Sequence, residues 1–446
     1  MKFAIITHAV HKLKDKNIYA YEPYVREMNL WLKYVDEVEI IAPVSNDDIF
    51  SIESKYQFKD RHCEHSEAIS LKEQIATSQT PLNDEQEKQN ALPSIPCNDK
   101  IKLIPIPSFD ITSIKNGIKA IFRIPKIFVR IYKTMQRTDH IHLRCPGNIG
   151  LLGCIVQIFF PNKPKTVKYA GNWDPKSKQP LSYRFQKWIV SNTFLTKNTK
   201  VLVYGEWSNQ SKNIVPFFTA SYSEEELQEK QKSLRQAQID NAEEQIATSR
   251  TPRNDENNSH PDLVEGFDDK CIHFIFVGAL TKEKQPLLSV KVVHELKMKG
   301  YNVQLNMYGE GIERNHIEQY IQQNQLRKTV ILHGNASKDI VKNAYKKAHF
   351  LLFISKSEGW PKVVAEAMFW GCLPISSNVS CIPYMLGNGS RGTMVNTEIK
   401  EIVSVIEDYL EHNEKYAEHV KEAIKWSRQY TLEKFEKEIK SVLLSF

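Results

Sequence analysis

The chain has 446 residues, 60 Lys and Arg against 53 Asp and Glu, a net charge of +7, 41% apolar residues and a mean hydropathy of −0.44. That length fits two or three domains, and the low hydropathy leaves part of the chain outside any packed core. The seven cysteines (Cys63, Cys97, Cys145, Cys154, Cys271, Cys372 and Cys381) are an odd set with no C-x-x-C pair, which argues against a disulfide framework and a zinc site and for a reducing cytoplasm.

In chain order, Lys2–Thr7 reads as a first strand rather than a signal-peptide core. Thr7-His8-Ala9-Val10-His11 then leads to Tyr19–Glu27, a loop whose Tyr and Arg side chains either reach a ligand or cap the domain. A strand is predicted at Val38–Ala42. Beyond it, Glu73–Glu85 reads EQIATSQTPLNDE and returns at Glu244–Glu256 as EQIATSRTPRNDE, with two of thirteen positions changed. The flanks hold too few large apolar residues to offset ordering entropy. Two copies do not make a solenoid. They read as exposed, dispensable insertions of one element, at about 61–98 and within 223–270.

Further strands are predicted at Ile101–Pro105, His140–Leu143 and Thr166–Tyr169. Between the first two, Ile114–Arg137 carries Lys115, Lys119, Arg123, Lys126, Arg130, Lys133 and Arg137 with no acidic residue. It is either a sheet-covering helix with a solvated basic face, interrupted at Pro125, or a contact for an anionic membrane. No nucleic-acid recognition motif accompanies it. The longest apolar run, Ile149–Phe160, contains Gln157 and falls short of the ~20 residues that span a bilayer. His142 and Arg144, at the end of their strand, point toward the expected ligand-binding edge, while His140 packs. In Lys168–Asp174, Trp173 can stack on a ligand, and Asn172 or Asp174 either binds hydroxyls or belongs to an Asp-Pro turn.

The second half alternates strands and helices: a strand at His273–Gly278, a helix at Pro286–Lys299, a strand at Val303–Tyr308, a helix at Ile312–Gln323, a strand at Val330–Leu332 and a helix at Asp339–Lys347. The apolar run Phe350–Ile354 has the character of a strand buried on both faces. It leads into Lys356-Ser357-Glu358-Gly359-Trp360-Pro361 and a short helix that contains Glu366 and ends at Gly371. Such alternation predicts an α/β protein with two doubly wound sheets, whose ligands bind at the carboxyl ends of the strands.

Ser357-Glu358-Gly359-Trp360-Pro361-Lys362-Val363-Val364-Ala365-Glu366-Ala367-Met368 resembles the E-x7-E signature of retaining GT-B glycosyltransferases, family 4-like, a large group that includes many enzymes of bacterial cell-surface polysaccharide synthesis. Gly278-Ala279-Leu280-Thr281-Lys282-Glu283-Lys284 resembles the family's G-R-L-x-x-x-K turn, with Ala279 where the family has arginine. Gly309-Glu310-Gly311 resembles its G-[DE]-G turn. The Gly-Gly loop that usually follows the family's first strand is absent.

The resemblance implies a GT-B fold of two Rossmann-like domains facing across a cleft, with two disordered insertions. Residues 1–222 bind the acceptor, 223–270 form a linker, 271–425 bind the nucleotide-sugar, and 426–446 form a helix that crosses back, with Trp426 and Phe435 at the junction. It implies that Glu358 and Lys284 act on the reacting carbon and the departing diphosphate. Gly278, Gly309, Gly359, Trp360 and Glu366 then complete the donor site, with Glu366 on the ribose. The implied partners are a UDP- or GDP-linked sugar and a glycan or lipid-linked acceptor. No cofactor and no metal are expected, and the location is cytoplasmic or on the inner face of a membrane. Two other readings remain: a GT-B hydrolase or epimerase, and a degenerate sugar-nucleotide-binding scaffold.

Overall fold

The structure, a computed structural model, describes residues 1–50, 52–58, 95–98, 100–107, 114–228 and 271–446, with side chains outside the description for 95–98 and 114–122. Most of both expected insertions lies outside the described residues. Their edges do not: residues 95–98 form a strand, and Glu226 pairs with Lys338 and Lys342 at 3.1 and 3.3 Å.

The first domain runs β1 (Lys2–Ile6), β2 (His11–Lys14), β3 (Asn17–Tyr21), α1 (Glu22–Leu32), β4 (Glu37–Ser45), β5 (Glu53–Lys55), β6 (Ile95–Asn98), β7 (Ile101–Ile106), α2 (Ile114–Arg137), β8 (His140–Cys145), α3 (Asn148–Val156), β9 (Lys165–Tyr169), α4 (Leu181–Ser191), β10 (Thr199–Tyr204) and β11 (Ile214–Phe217). Its parallel strands lie in the order β7-β4-β1-β8-β9-β10-β11. The order reverses between β1 and β8, the switch point where such sheets bind ligands.

The segment read as a loop after β1 is instead the β2–β3 hairpin, paired from His11–Ala20 to Lys14–Asn17. Asp15 and Lys16 hold its turn at positive φ, the twist that matches a two-residue hairpin. The helix α2 is not broken at Pro125; it runs through it. Ile127, Ile131 and Met135 of α2 seat in the core on one face of the sheet, and Val25, Met28 and Trp31 of α1 in the core on the other.

The second domain runs β12 (Ile272–Val277), α5 (Pro286–Met298), β13 (Val303–Tyr308), α6 (Arg314–Gln323), β14 (Val330–Gly334), α7 (Lys338–Lys347), β15 (Phe350–Phe353), α8 (Lys362–Trp370), β16 (Leu373–Ser377), α9 (Ile382–Met385), β17 (Thr393–Val395), α10 (Ile399–Glu411), α11 (Asn413–Ser427) and α12 (Leu432–Leu444). All six of its strands are parallel, in the order β14-β13-β12-β15-β16-β17. Every side chain of β15 is buried, as its unbroken apolar run requires, and each such Phe or Leu contributes ~1.5–3 kcal/mol. The switch point here lies between β12 and β15.

Thr431 caps α12, its hydroxyl accepting from the Lys434 amide. The helix lies against the first domain: Phe435 packs on Phe217 and Phe218, and Glu436 accepts from Lys33 and Tyr34 of the α1 end. Trp426 stacks on Trp360 and packs at a tilt against Tyr430 at the same junction.

Candidate active site

On the second domain, backbone builds the floor. Gly278 and Gly309 follow β12 and β13 with φ of +154° and +135°, in the region that favours glycine. A Cβ on Gly309 would fall 2.0 Å from the Gly278 carbonyl oxygen, so only glycine lets the two turns meet. Backbone bonds from Gly278 to Tyr308, Leu280 to Glu310 and Gly309 to Gly334 lace the strand ends together.

Above this floor, the Lys284 ammonium meets Glu358 Oε1 at 2.5 Å, and the Ser355 hydroxyl donates to the same oxygen. Glu358 is thus held by β15 on one side and by the β12–α5 turn on the other. Its second carboxylate oxygen has no bond to the protein among those described. A fixed carboxylate beside a fixed ammonium can hold neighbouring hydroxyls with one group and a phosphate with the other.

The next residues bring the two domains into contact. A Cβ on Gly359 would lie 2.6 Å from the Ala170 carbonyl oxygen and 3.3 Å from Gly171 Cα, so glycine permits this close approach. Trp360 is buried between Tyr204 of the first domain and Trp426 and Tyr430 of the second. It packs at the domain junction. Pro361 is the N-cap of α8 rather than its first helical residue, one position earlier than its preference suggests. Glu366, on α8, faces the junction and accepts from the Ser221 hydroxyl. The crevice there, lined by Ser221, Tyr222, Lys362, Glu366, Phe369 and Tyr430, measures about 10 Å³, room for one water at most.

The first domain contributes a buried cluster of charge. Arg144, at the end of β8, bonds Glu27 of α1 at 2.6 Å and lies 5.1 Å above the Tyr24 ring. Lys168 of β9 donates to the Phe218 carbonyl at 2.9 Å and sits 4.3 Å over Tyr204. Burial, with the charges of Arg144 and Lys362 against the partial relief of Glu27, brings the Lys168 ammonium down to about 7. Burial pushes the Glu27 carboxyl up, but Arg144, Lys168 and Lys362 outweigh it and hold it below its ordinary value. Arg144 is thus the cation bonded to this buried carboxylate, while Lys168 and Lys362 act on it through space. Beside them, desolvation and then the Arg144 charge lower the His8 imidazole, and a Cβ on Gly147 would stand 3.0 Å from its Nδ1.

His142 and Arg144, both expected at the ligand-binding edge, are separated in the structure. His142 is fully buried, bonded through Nδ1 to Thr166 at 2.8 Å and packed 4.6 Å from Trp31. His140, His142 and Arg144 share one face of β8, and Arg144, toward the carboxyl end, meets Glu27 and Tyr24 of α1 where His142 meets Trp31. Asn172 and Asp174 sit on the loop beside Gly359, but their oxygens close local turns: Asn172 Oδ1 accepts from the Asp174 amide and Asp174 Oδ1 from the Lys176 amide, at 2.9 and 2.8 Å. Trp173 is buried with its indole N–H on Gln210, so its ring is not open to a sugar.

The residues that the motif reading missed are Glu27, Lys168, Lys362 and His8. Lys168 carried a signal, a lysine inside a strand whose neighbours are β-formers; Glu27 and His8 carried none, because their partners are distant in sequence.

Residues 263–426 match the family described as Glycosyl transferases group 1. No curated protein matches the chain in sequence. Solved structures resemble it over its whole length: HepE of Anabaena, in complex with UDP and glucose, superposes with a TM-score of 0.59 at 11% identity, covering 100% of both chains. Sucrose-phosphate synthase from Thermosynechococcus elongatus gives 0.58 at 15% identity, covering 99% of this chain and 98% of that one. WaaG, a glycosyltransferase involved in lipopolysaccharide biosynthesis, gives 0.57 at 11% identity over 100% of both. At such identities the likeness is one of fold, and that fold is GT-B.

Proposed function

We propose that the chain is a glycosyltransferase that moves a sugar from a nucleotide-sugar to an acceptor hydroxyl with retention of configuration. The observation that carries this reading is the pair Glu358 and Glu366 at the domain junction, one on Lys284 and the other at the crevice between domains. The match of residues 263–426 to a glycosyl transferase family and the GT-B frame support it. HepE's complexes with UDP and UDP-glucose make a uridine diphosphate sugar the first donor to test.

In this reading Glu366 holds the ribose hydroxyls, Lys284 faces the diphosphate, and Glu358 lies by the sugar's reacting carbon. The bond from that carbon to the β-phosphate oxygen breaks as the acceptor oxygen bonds to the carbon on the same face. The acceptor proton passes to a departing phosphate oxygen. Negative charge grows on the diphosphate as the bond breaks, so Lys284 stabilises the transition state more than the bound donor. Since lysine supplies this charge, the reaction proceeds without a metal. The acceptor docks on the first domain, beside His8 and Arg144, and the product belongs to cell-surface polysaccharide synthesis.

Incubation of the protein with UDP- and GDP-sugars, with and without lipid-linked saccharides, tests this. Transfer that depends on acceptor supports it. Donor breakdown independent of any acceptor assigns a hydrolase, and nucleotide-sugar binding without turnover assigns a scaffold, the alternative that Ala279 in place of the family's arginine favours.

A further inference from the structure

Charge is distributed unevenly along this chain. Residues 111–205 hold seventeen Lys and Arg and only two acids, Asp139 and Asp174; this stretch carries +15 and the rest of the chain −8. The same stretch presents large apolar side chains to solvent. On α4, Leu181, Phe185 and Trp188 are 78%, 47% and 54% exposed. Their spacing of four and three residues puts them on one face. The opposite face, Gln186, Ile189 and Val190, is buried against the domain. A helix with one side already packed has no folding reason to keep a second apolar side in water.

The stripe continues beyond α4. In the turn that follows, Phe194 is 76% exposed, and in the adjoining 3₁₀ turn Gln157–Phe159, Phe159 is 61% exposed. Gln157 ties the two turns through bonds to the Leu195 carbonyl and the Thr196 hydroxyl. Tyr132 of α2 borders Phe159 with ring centres 6.2 Å apart. Arg184 is exposed on α4 between Leu181 and Trp188, and Lys197 lies 5.2 Å over the Phe194 ring.

We infer that this face docks on the anionic surface of a lipid bilayer. A second copy of the chain would set the exposed Arg184 and Lys197 against like charges, which repulsion disfavours, whereas a sheet of lipid phosphates complements them. Trp, Phe and Tyr partition to the headgroup level, and the lysine and arginine heads beside them reach phosphate while their stems stay apolar. No helix among the described residues is long and apolar enough to cross a membrane, so the contact lies in the interface plane. The site is α4 with its neighbouring turns, and α2, the basic helix, only borders it. The inference stands whether or not the protein transfers sugar.

Cosedimentation of the full chain with phosphatidylcholine vesicles, with and without phosphatidylglycerol, tests this. The wild type should partition onto the anionic vesicles at least about tenfold better than onto neutral ones, and added salt should weaken it. The triple change Leu181→Ser, Phe185→Ser, Trp188→Ser should lower binding on the order of tenfold or more while the melting temperature stays unchanged, since all three side chains are exposed. A second variant, Arg184→Gln with Lys197→Gln, should also lower anionic binding, roughly tenfold, without affecting neutral vesicles. Equal binding of the wild type to both vesicles, or to neither, overturns the proposal. So does a triple variant that binds like the wild type, or a wild-type dimer that the triple change makes monomeric, which would assign the face to a second copy.

Discussion

The two sheets reverse strand order at equivalent places, yet their switch points are furnished differently. In the second domain the edge is built from backbone, with Gly278 and Gly309 in contact and one carboxylate, Glu358, fixed by Lys284 and Ser355. In the first domain it is built from buried charge, with Glu27, Arg144 and Lys168 drawn from α1, β8 and β9. A backbone floor is specified by a few contiguous residues, while a charge cluster needs residues far apart in sequence to meet.

This contrast can be broken in order of effect. Arg144→Ala strands the Glu27 carboxylate in the interior and should cost about 3–5 kcal/mol of stability in denaturant unfolding, with little change in nucleotide affinity below the melting point. If Arg144→Ala leaves stability intact, the cluster is not a structural unit. Lys284→Ala should do the reverse, cutting kcat roughly 10²–10³-fold, ~2.7–4 kcal/mol, with the fold retained. Glu366→Ala should weaken donor binding by roughly 1.5–3 kcal/mol, read by calorimetry; unchanged affinity would remove Glu366 from the donor site.

Lys168 sharpens the comparison through pH. Its folded value, about 7, lies below its unfolded value, 10.5, so between them the unfolded state binds more protons. Its contribution to stability should therefore rise with pH across that window, by at most about 1.4 kcal/mol per unit, and level off below pH 7 and above 10.5. In Lys168→Met the slope should fall without vanishing, since burial also brings Lys165 and Lys187 down to about 8; an unchanged slope would remove Lys168 as a cause. The smallest effect is none: a chelator should leave sugar transfer unchanged, and a rate restored only by a divalent cation would show that Lys284 does not suffice.

Legibility in the sequence followed the same division. In the second domain β12 to β15 and α8 were readable, because β15 is an unbroken apolar run and the segment from Glu358 to Glu366 is continuous, whereas β17, α10 and α11 were not. The first domain yielded its strands β1, β4, β7, β8 and β9 but not β10 and β11, nor the β2–β3 hairpin, whose turn is Asp15-Lys16 rather than an Asn-Gly pair. His142 was misplaced because strand alternation tells which face a side chain takes but not how far along the strand the covering helix extends. Glu27 was invisible because a glutamate on an amphipathic helix reads as solvated until its partner Arg144 is known.

The bond from Ser221 to Glu366 bears on how affinity measurements on this protein should be interpreted. The chain already supplies a hydroxyl to the carboxylate that a ribose is proposed to engage, so an arriving nucleotide displaces an internal rival instead of filling an idle acceptor. Its observed dissociation constant then exceeds the intrinsic one by the reciprocal of the fraction of molecules in which that rival has let go. Ser221→Ala, remote from the sugar's reacting carbon, should therefore tighten nucleotide binding, an improvement gained by deleting a bond.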